Sequence, residues 1–144
     1  MATIIKTWTT AVELAATGAF GGSVAVVAAD RAYDYTDDVN LETNGYEGCQ
    51  VIVEAMLNYG DRGPQDSKMP DDLIVDVFAS LDATLYDTIP YKSFTVKSKR
   101  DTRTQRFTFI VEGLAHFRIG LRTNGTEDTF DYQITHQTWL LTNA

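Results

Sequence analysis

Cysteine, proline, histidine and long apolar runs are all scarce in this chain. Its 144 residues include a single cysteine, Cys49, so no disulfide forms within it, and the covalent staples on which many small secreted domains depend are excluded. Three prolines and ten glycines are too few for a low-complexity or disordered composition. No apolar run approaches the roughly 20 residues that cross a bilayer. Met1-Ala2-Thr3-Ile4-Ile5-Lys6 also lacks a basic stretch followed by a long apolar one, so the expectation is a soluble chain with no conventional export signal and no membrane partner.

Catalytic groupings are equally sparse. His116 and His136 stand far apart in sequence, without the close spacing of paired metal ligands. The first falls on a polar strand face and reads as a surface histidine; the second follows the inward set of its strand and reads as a hydrogen-bonded interior one. Cys49 lies on an apolar face without a nucleophile-elbow or cysteine-protease phrase around it, so it reads as a buried structural thiol. Asp71 and Asp72 are adjacent, precede a strand and would point in opposite directions, a poor geometry for a general acid and base. The acid-rich run Asp34, Asp37, Asp38, Asn40, Glu42, Asn44 has oxygen ligands but not the EF-hand spacing, and reads as a solvated loop or edge. A non-enzymatic protein with no cofactor and no metal is expected.

What the chain does have is alternation. Cys49, Val51, Val53, Ala55 and Leu57 oppose Gln50, Ile52, Glu54 and Met56; Leu73, Val75, Val77, Ala79 and Leu81 oppose Asp76, Ser80 and Asp82. Phe107, Phe109 and Val111 oppose Arg106, Thr108 and Glu112; Phe117, Ile119 and Leu121 oppose His116, Arg118 and Arg122; Phe130, Tyr132 and Ile134 lead a last strand towards Leu141. This period of two is that of strands packed on one side. Asn124-Gly125 suits a tight reversal, and Asn58 to Asp72, with Gly60, Gly63, Pro64 and Pro70, reads as a long loop. Before Gly48 the pattern is weaker: Thr3 to Trp8 is a strand candidate, Ala11 to Ala16 fits a helical turn or a short strand, and Val24 to Ala29 is an apolar run after Gly18, Gly21 and Gly22. Residues 1–22 are expected to form an extended N-terminal segment of a single domain covering 1–144. About eight strands without a long amphipathic helix predict an all-β fold, a jelly-roll-like antiparallel β-sandwich.

Charge is unevenly placed. The net value is −8; residues 30–87 hold 14 acids and 3 bases, whereas residues 88–144 hold 8 bases and 5 acids. Such polarity steers patch-to-patch association, and the overall sign disfavours a phosphate backbone, so nucleic acid is not an expected partner. The basic concentration Lys97, Lys99, Arg100, Arg103, Arg106 has no interleaved aromatic to stack on bases, and suits a hairpin tip or an interface patch facing acids.

One phrase carries a resemblance. Asp72-Leu73-Ile74-Val75-Asp76-Val77-Phe78-Ala79-Ser80-Leu81-Asp82 is followed by Tyr86-Asp87-Thr88-Ile89-Pro90, and then by Ala115, Phe117, Arg118 and Gly120 in an Ala-x-Phe-Arg-x-Gly element. Over residues 48–140 this pattern resembles small β-sandwich structural proteins of tailed bacteriophages, of the head decoration or cement kind. Two positions depart from it: the residue after Ser-Leu-Asp, often glycine, is Ala83, and a terminal strand rich in Arg and Trp is reduced to Trp139-Leu140-Leu141.

The resemblance implies a virion protein on the capsid exterior, made in the bacterial host cytoplasm, that binds the major capsid protein and other copies of itself, a homotrimer being one arrangement. Ile4, Ile5, Trp8, Arg62, Lys97, Lys99, Arg100, Arg103 and Trp139 are the expected partner-binding residues, with the N-terminal segment and the loop Tyr59 to Asp72 ordering on the partner. A tail, collar or baseplate component is the alternative on the same fold. A carbohydrate-binding module is a further one, with Tyr33, Tyr35, Tyr46 and Tyr59 as sugar-stacking candidates.

Overall fold

The computed structural model describes residues 3–15, 25–27, 31–58, 70–98 and 104–143. Among these there is no helix, and the strands are β1 (Ile4–Trp8), β2 (Val12–Ala15), β3 (Ala25–Val27), β4 (Asp34–Tyr35), β5 (Val39–Asn40), β6 (Gly48–Asn58), β7 (Leu73–Ser80), β8 (Lys92–Val96), β9 (Thr104–Glu112), β10 (His116–Thr123) and β11 (Thr129–Asn143). Of the two readings open for Ala11 to Ala16, the strand is the one formed.

One sheet runs β1-β11-β6-β9, with β2 and β3 also on β11; the other runs β4-β10-β7-β8, with β5 also on β10. All pairings are antiparallel. Strands β1, β2 and β3 follow one another down β11, meeting Asn143–Trp139, then His136–Ile134, then Tyr132–Phe130. They act as one interrupted strand, as do β4 and β5 along β10. Counted this way the eight expected strands emerge. Their orders, first-eighth-third-sixth and second-seventh-fourth-fifth, are those of a jelly roll.

The core lies between the sheets, and alternation explains its membership. Cys49, Val51, Val53, Ala55 and Leu57 of β6 face Leu73, Val75 and Val77 of β7 and Phe117, Ile119 and Leu121 of β10, all buried, while Phe130, Tyr132 and Ile134 of β11 complete the layer. Burial pushes the Cys49 thiol up to about 12, consistent with an unreactive interior group. The turn at Asn124 is tied to β7: the Asp72 amide donates to the Asn124 side chain at 2.8 Å, and the Asp71 carboxylate accepts from Glu127 and Asp128 amides at 2.9 and 2.8 Å.

Two expectations need correction. Leu81 does not continue the inward set of β7; the strand ends at Ser80 and Leu81 is 86% exposed, because the chain turns before the period reaches it. His116 is buried rather than on the surface, since β5 and the Asp38 carboxylate cover it, with Nδ1 2.7 Å from Asp38. His136 faces inward and hydrogen-bonds the Val12 backbone, as expected of an interior histidine, while its Nδ1 is buried without a partner and burial lowers its pKa.

Candidate functional site

The N-terminal edge gathers several of the expected partner-binding residues. Strand β1 pairs Trp8 with Trp139 and Ile4 with Asn143, and opposite residues share a face, so Ile4, Lys6 and Trp8 join Trp139 and Leu141 on the outer side of the sheet. Trp139 itself is buried although it lies on this outer side. Its space comes from Gly48 across the sheet: a Cβ there would sit 2.3 Å from a Trp139 ring carbon and 2.9 Å from the Val111 carbonyl. Trp8 closes over it at 5.1 Å between ring centroids, and the Lys6 ammonium lies 4.0 Å from the Trp139 ring centre, a cation–π arrangement.

Beyond this packed pair the surface is bare. Ile4 is 65% exposed, and Ile5, Trp8, Val12 and Leu141 are exposed too. No described strand pairs with the other side of β1, so its backbone groups face outward beside an apolar patch. Edges of this kind are templates for added strands or docking partners.

The remaining expected residues divide. Lys97 is on the surface, 3.1 Å from the Asp72 carboxylate. Arg62, Lys99, Arg100 and Arg103, together with Tyr59, most of the loop to Asp72, and residues 16–22, lie outside the described residues. The structure therefore brings Ile4, Ile5, Trp8 and Trp139 together at one edge of the sandwich and places Lys97 away from them, after the strand at the opposite edge.

The outer face of the second sheet carries a different construction. Gly120 leaves room for three rings, with Tyr33, Phe78 and Tyr35 carbons at 2.8–3.0 Å from where its Cβ would be. Tyr33 and Tyr35 stack at 5.4 Å, and the Arg118 guanidinium lies 3.7 Å from the Tyr35 ring centre and 4.1 Å from that of Tyr86. Tyr33 and Ser93 both donate to Asp76, which is buried although it lies on the outward face. Tyr86 donates to Asp38 at 2.7 Å, and burial together with that carboxylate pushes its pKa up to about 12. A cleft of about 230 Å³ remains among these groups. The stacking surface that a sugar ring would need from Tyr35 is taken by Arg118 and Tyr33, while Tyr46 packs against the core.

Half of the acid-rich run is spoken for in the same way. Asp34 accepts from Tyr132 at 2.6 Å, Asp38 binds Tyr86 and His116, and the Asn40 side chain accepts from the Glu42 and Thr43 amides at 3.0 and 3.1 Å. Among the described residues, no three of His, Cys, Asp and Glu are grouped to hold a metal ion.

One exposed set escaped sequence reasoning. Leu81, Leu85 and Ile89, inside the phrase that carries the resemblance, are 86%, 78% and 80% exposed. A signal was present: the three aliphatics recur every fourth residue through a turn-forming segment, and strand alternation accounts for Leu81 alone.

No family model matches the chain, and no curated protein matches it. Among solved structures it is similar to the Bacillus endospore appendages described as a novel family of disulfide-linked pili, at 14% identity over 97% of this chain and 91% of that one, TM-score 0.42. It is also similar to a CBM4 protein described for its structure and function, at 12% identity over 83% and 85% of the two chains, TM-score 0.38, and to the decameric BFDV capsid protein, at 8% identity over 100% of both, TM-score 0.31. The class established by the fold is a small all-β jelly roll. At these scores the three likenesses carry no argument about its role.

Proposed function

We propose that the chain is a non-enzymatic structural protein of a tailed-bacteriophage particle, a decoration or cement protein that docks on the major capsid protein at the outside of the head. The observation that supports this reading is the N-terminal edge, where Ile4, Trp8 and Leu141 stay in water on the outer face, and Ile5 on the opposite one, beside a strand backbone that no described strand pairs. Apolar side chains grouped in this way mark interaction surfaces rather than ordinary exposure. The Ser-Leu-Asp and Tyr-Asp-Thr-Ile-Pro phrase supplies the phage setting.

On this reading β1 seats against the shell by strand addition, its backbone bonds giving affinity and its isoleucines filling shallow apolar pockets. A persistent contact buries on the order of 1,000 Å² or more, so β1 works together with neighbouring surface. The acidic net charge suits an outer position better than a lumen packed with DNA.

Quantitative mass spectrometry of purified particles tests the proposal. Hundreds of copies per particle are expected; about a dozen would move the chain to the neck, collar, tail or baseplate, and absence would end the virion reading. Occupancy should fall when Ile4 and Ile5 are both replaced by serine, and unchanged occupancy would sink the role given to β1.

A further inference from the structure

We infer that the loop 81–91 of one copy docks into the cleft between β8 and β9 of a second copy, so that the chain associates head to tail. This does not rest on the particle reading, and it uses the edge of the sandwich opposite to β1.

The loop is built to hold its shape without a partner. Ser80 Oγ donates to the Leu85 carbonyl at 2.6 Å and accepts from the Ala83 amide at 3.0 Å, while one Asp82 carboxylate oxygen accepts from the Thr84 and Leu85 amides at 2.9 and 3.0 Å. Tyr86 is anchored to Asp38, and the Asp87 amide donates to the Ala79 carbonyl at 2.9 Å. Ala83 sits at φ 62° to make the turn, a conformation unfavourable for a residue with a Cβ. Despite this ordering, Leu81, Leu85 and Ile89 are left in water. A rigid loop loses little freedom on docking, so its apolar area converts efficiently into affinity.

The cleft has the complementary shape and sign. It measures about 380 Å³ and is lined by the apolar Phe94, Val96 and Phe107 with the bases Lys97 and Arg106, and none of its described lining residues is an acid. This is the scale of pockets that enclose compact apolar groups. From Leu81 to Tyr91 the loop carries Asp82 and Asp87 and no base. Lys97 pairs with Asp72, yet its side chain is 76% exposed and can meet a second carboxylate. Acid-flanked aliphatics thus face an apolar cleft flanked by bases.

A chain cannot satisfy itself. The loop leads into the first residue of β8, and the cleft is built from the last residues of that strand, on the order of 15 Å further along. A second copy is therefore the occupant, and because two different patches meet, the contact is heterologous and closes into a ring or runs on as a chain.

Two full-length variants test this by sedimentation velocity at physiological salt. Leu85→Ser with Ile89→Ser removes the plug, and Thr95→Glu with Arg106→Glu makes the cleft repel it; all four positions are exposed, so both variants should fold, as circular dichroism would show. Wild type is expected to gain mass with concentration below about 1 mM, and each variant alone to associate about tenfold more weakly or not at all. An equimolar mixture of the two should recover a dimer and nothing larger, since one intact loop then meets one intact cleft. Wild type that stays monomeric, a variant that assembles normally, or a mixture that stays monomeric overturns the inference. A monomeric wild type whose loop variant loses particle occupancy would also overturn it, by giving the loop to another protein. Should a variant fail to fold, Asp87→Lys paired with Arg106→Glu replaces it: each alone should weaken association and together they should restore it, and no restoration counts against the contact.

Discussion

Strand β1 and the loop 81–91 both hold aliphatic side chains in water, but β1 is held through its backbone and the loop through its side chains. Every residue of β1 has a partner on β11, from Ile4 opposite Asn143 to Trp8 opposite Trp139. In the loop, Ser80, Asp82 and Tyr86 make the bonds that strand pairing would otherwise make. The difference teaches that one fold can present apolar surface in two ways. A strand edge accepts a partner by extending its own ladder, whereas a loop fixed by side chains offers a preformed shape.

Mutations that attack one construction and spare the other should separate them. The largest effect is expected for Gly48→Ala, because the new methyl meets both the Trp139 ring and the Val111 backbone. A loss of about 2–3 kcal/mol is predicted, read by denaturant unfolding, with altered tryptophan fluorescence from the disturbed Trp8–Trp139 pair and no change in protease resistance at the loop. Ser80→Ala should do the reverse. It strands the Leu85 carbonyl and the Ala83 amide, costs about 1–2 kcal/mol, and exposes the loop to proteolysis while the tryptophan signal stays put.

Ala83→Gly should stabilise by up to about 1 kcal/mol, since glycine adopts the left-handed backbone of that position freely. A drop in melting temperature would show that the turn does not strain Ala83.

Acid should distinguish the two regions as well. His136 lies beneath β2, paired with Val12, and its pKa is lowered from 6.5 by burial. The unfolded chain then takes up that proton first, so this contribution to stability is intact above about pH 6.5 and declines as pH falls through the folded value. Asp82 is lowered from 3.8, chiefly by the Leu85 and Thr84 amides. Its contribution is intact above about pH 3.8 and is lost only as pH falls further. Hydrogen exchange at pH 5 should therefore show the N-terminal edge loosened and the loop unaffected, and a loop that opens first would reverse the ordering. The smallest effect on stability belongs to Ile4→Ser, within about 0.5 kcal/mol for so exposed a residue; a larger loss would mean that β1 is packed rather than presented.

Much of the fold was legible from residue order. The clean alternation of Cys49 to Leu57, of Phe117 to Leu121 and of Phe130 to Ile134 named core residues correctly, because a period of two commits each side chain to a face. It did not reveal that Leu81 leaves the core or that His116 is buried, since both depend on where a strand stops and what covers it. Trp139 shows the limit well. Alternation puts it on the outside, and only the missing side chain of Gly48 and the cover of Trp8, both far away in sequence, make that place a buried one.

By itself the sequence determined the period of two, the class of fold, the absence of an internal disulfide and the charge polarity, all of which are properties of local order and composition. The tertiary structure decided strand order and the contacts that assign roles: the pairing of β1 with β11, the stacking of Arg118 between Tyr35 and Tyr86, and the placing of an acid-flanked loop and a base-flanked cleft at opposite ends of β8. These join residues distant in the chain, and no local pattern encodes which distant partner a strand edge or a ring will meet.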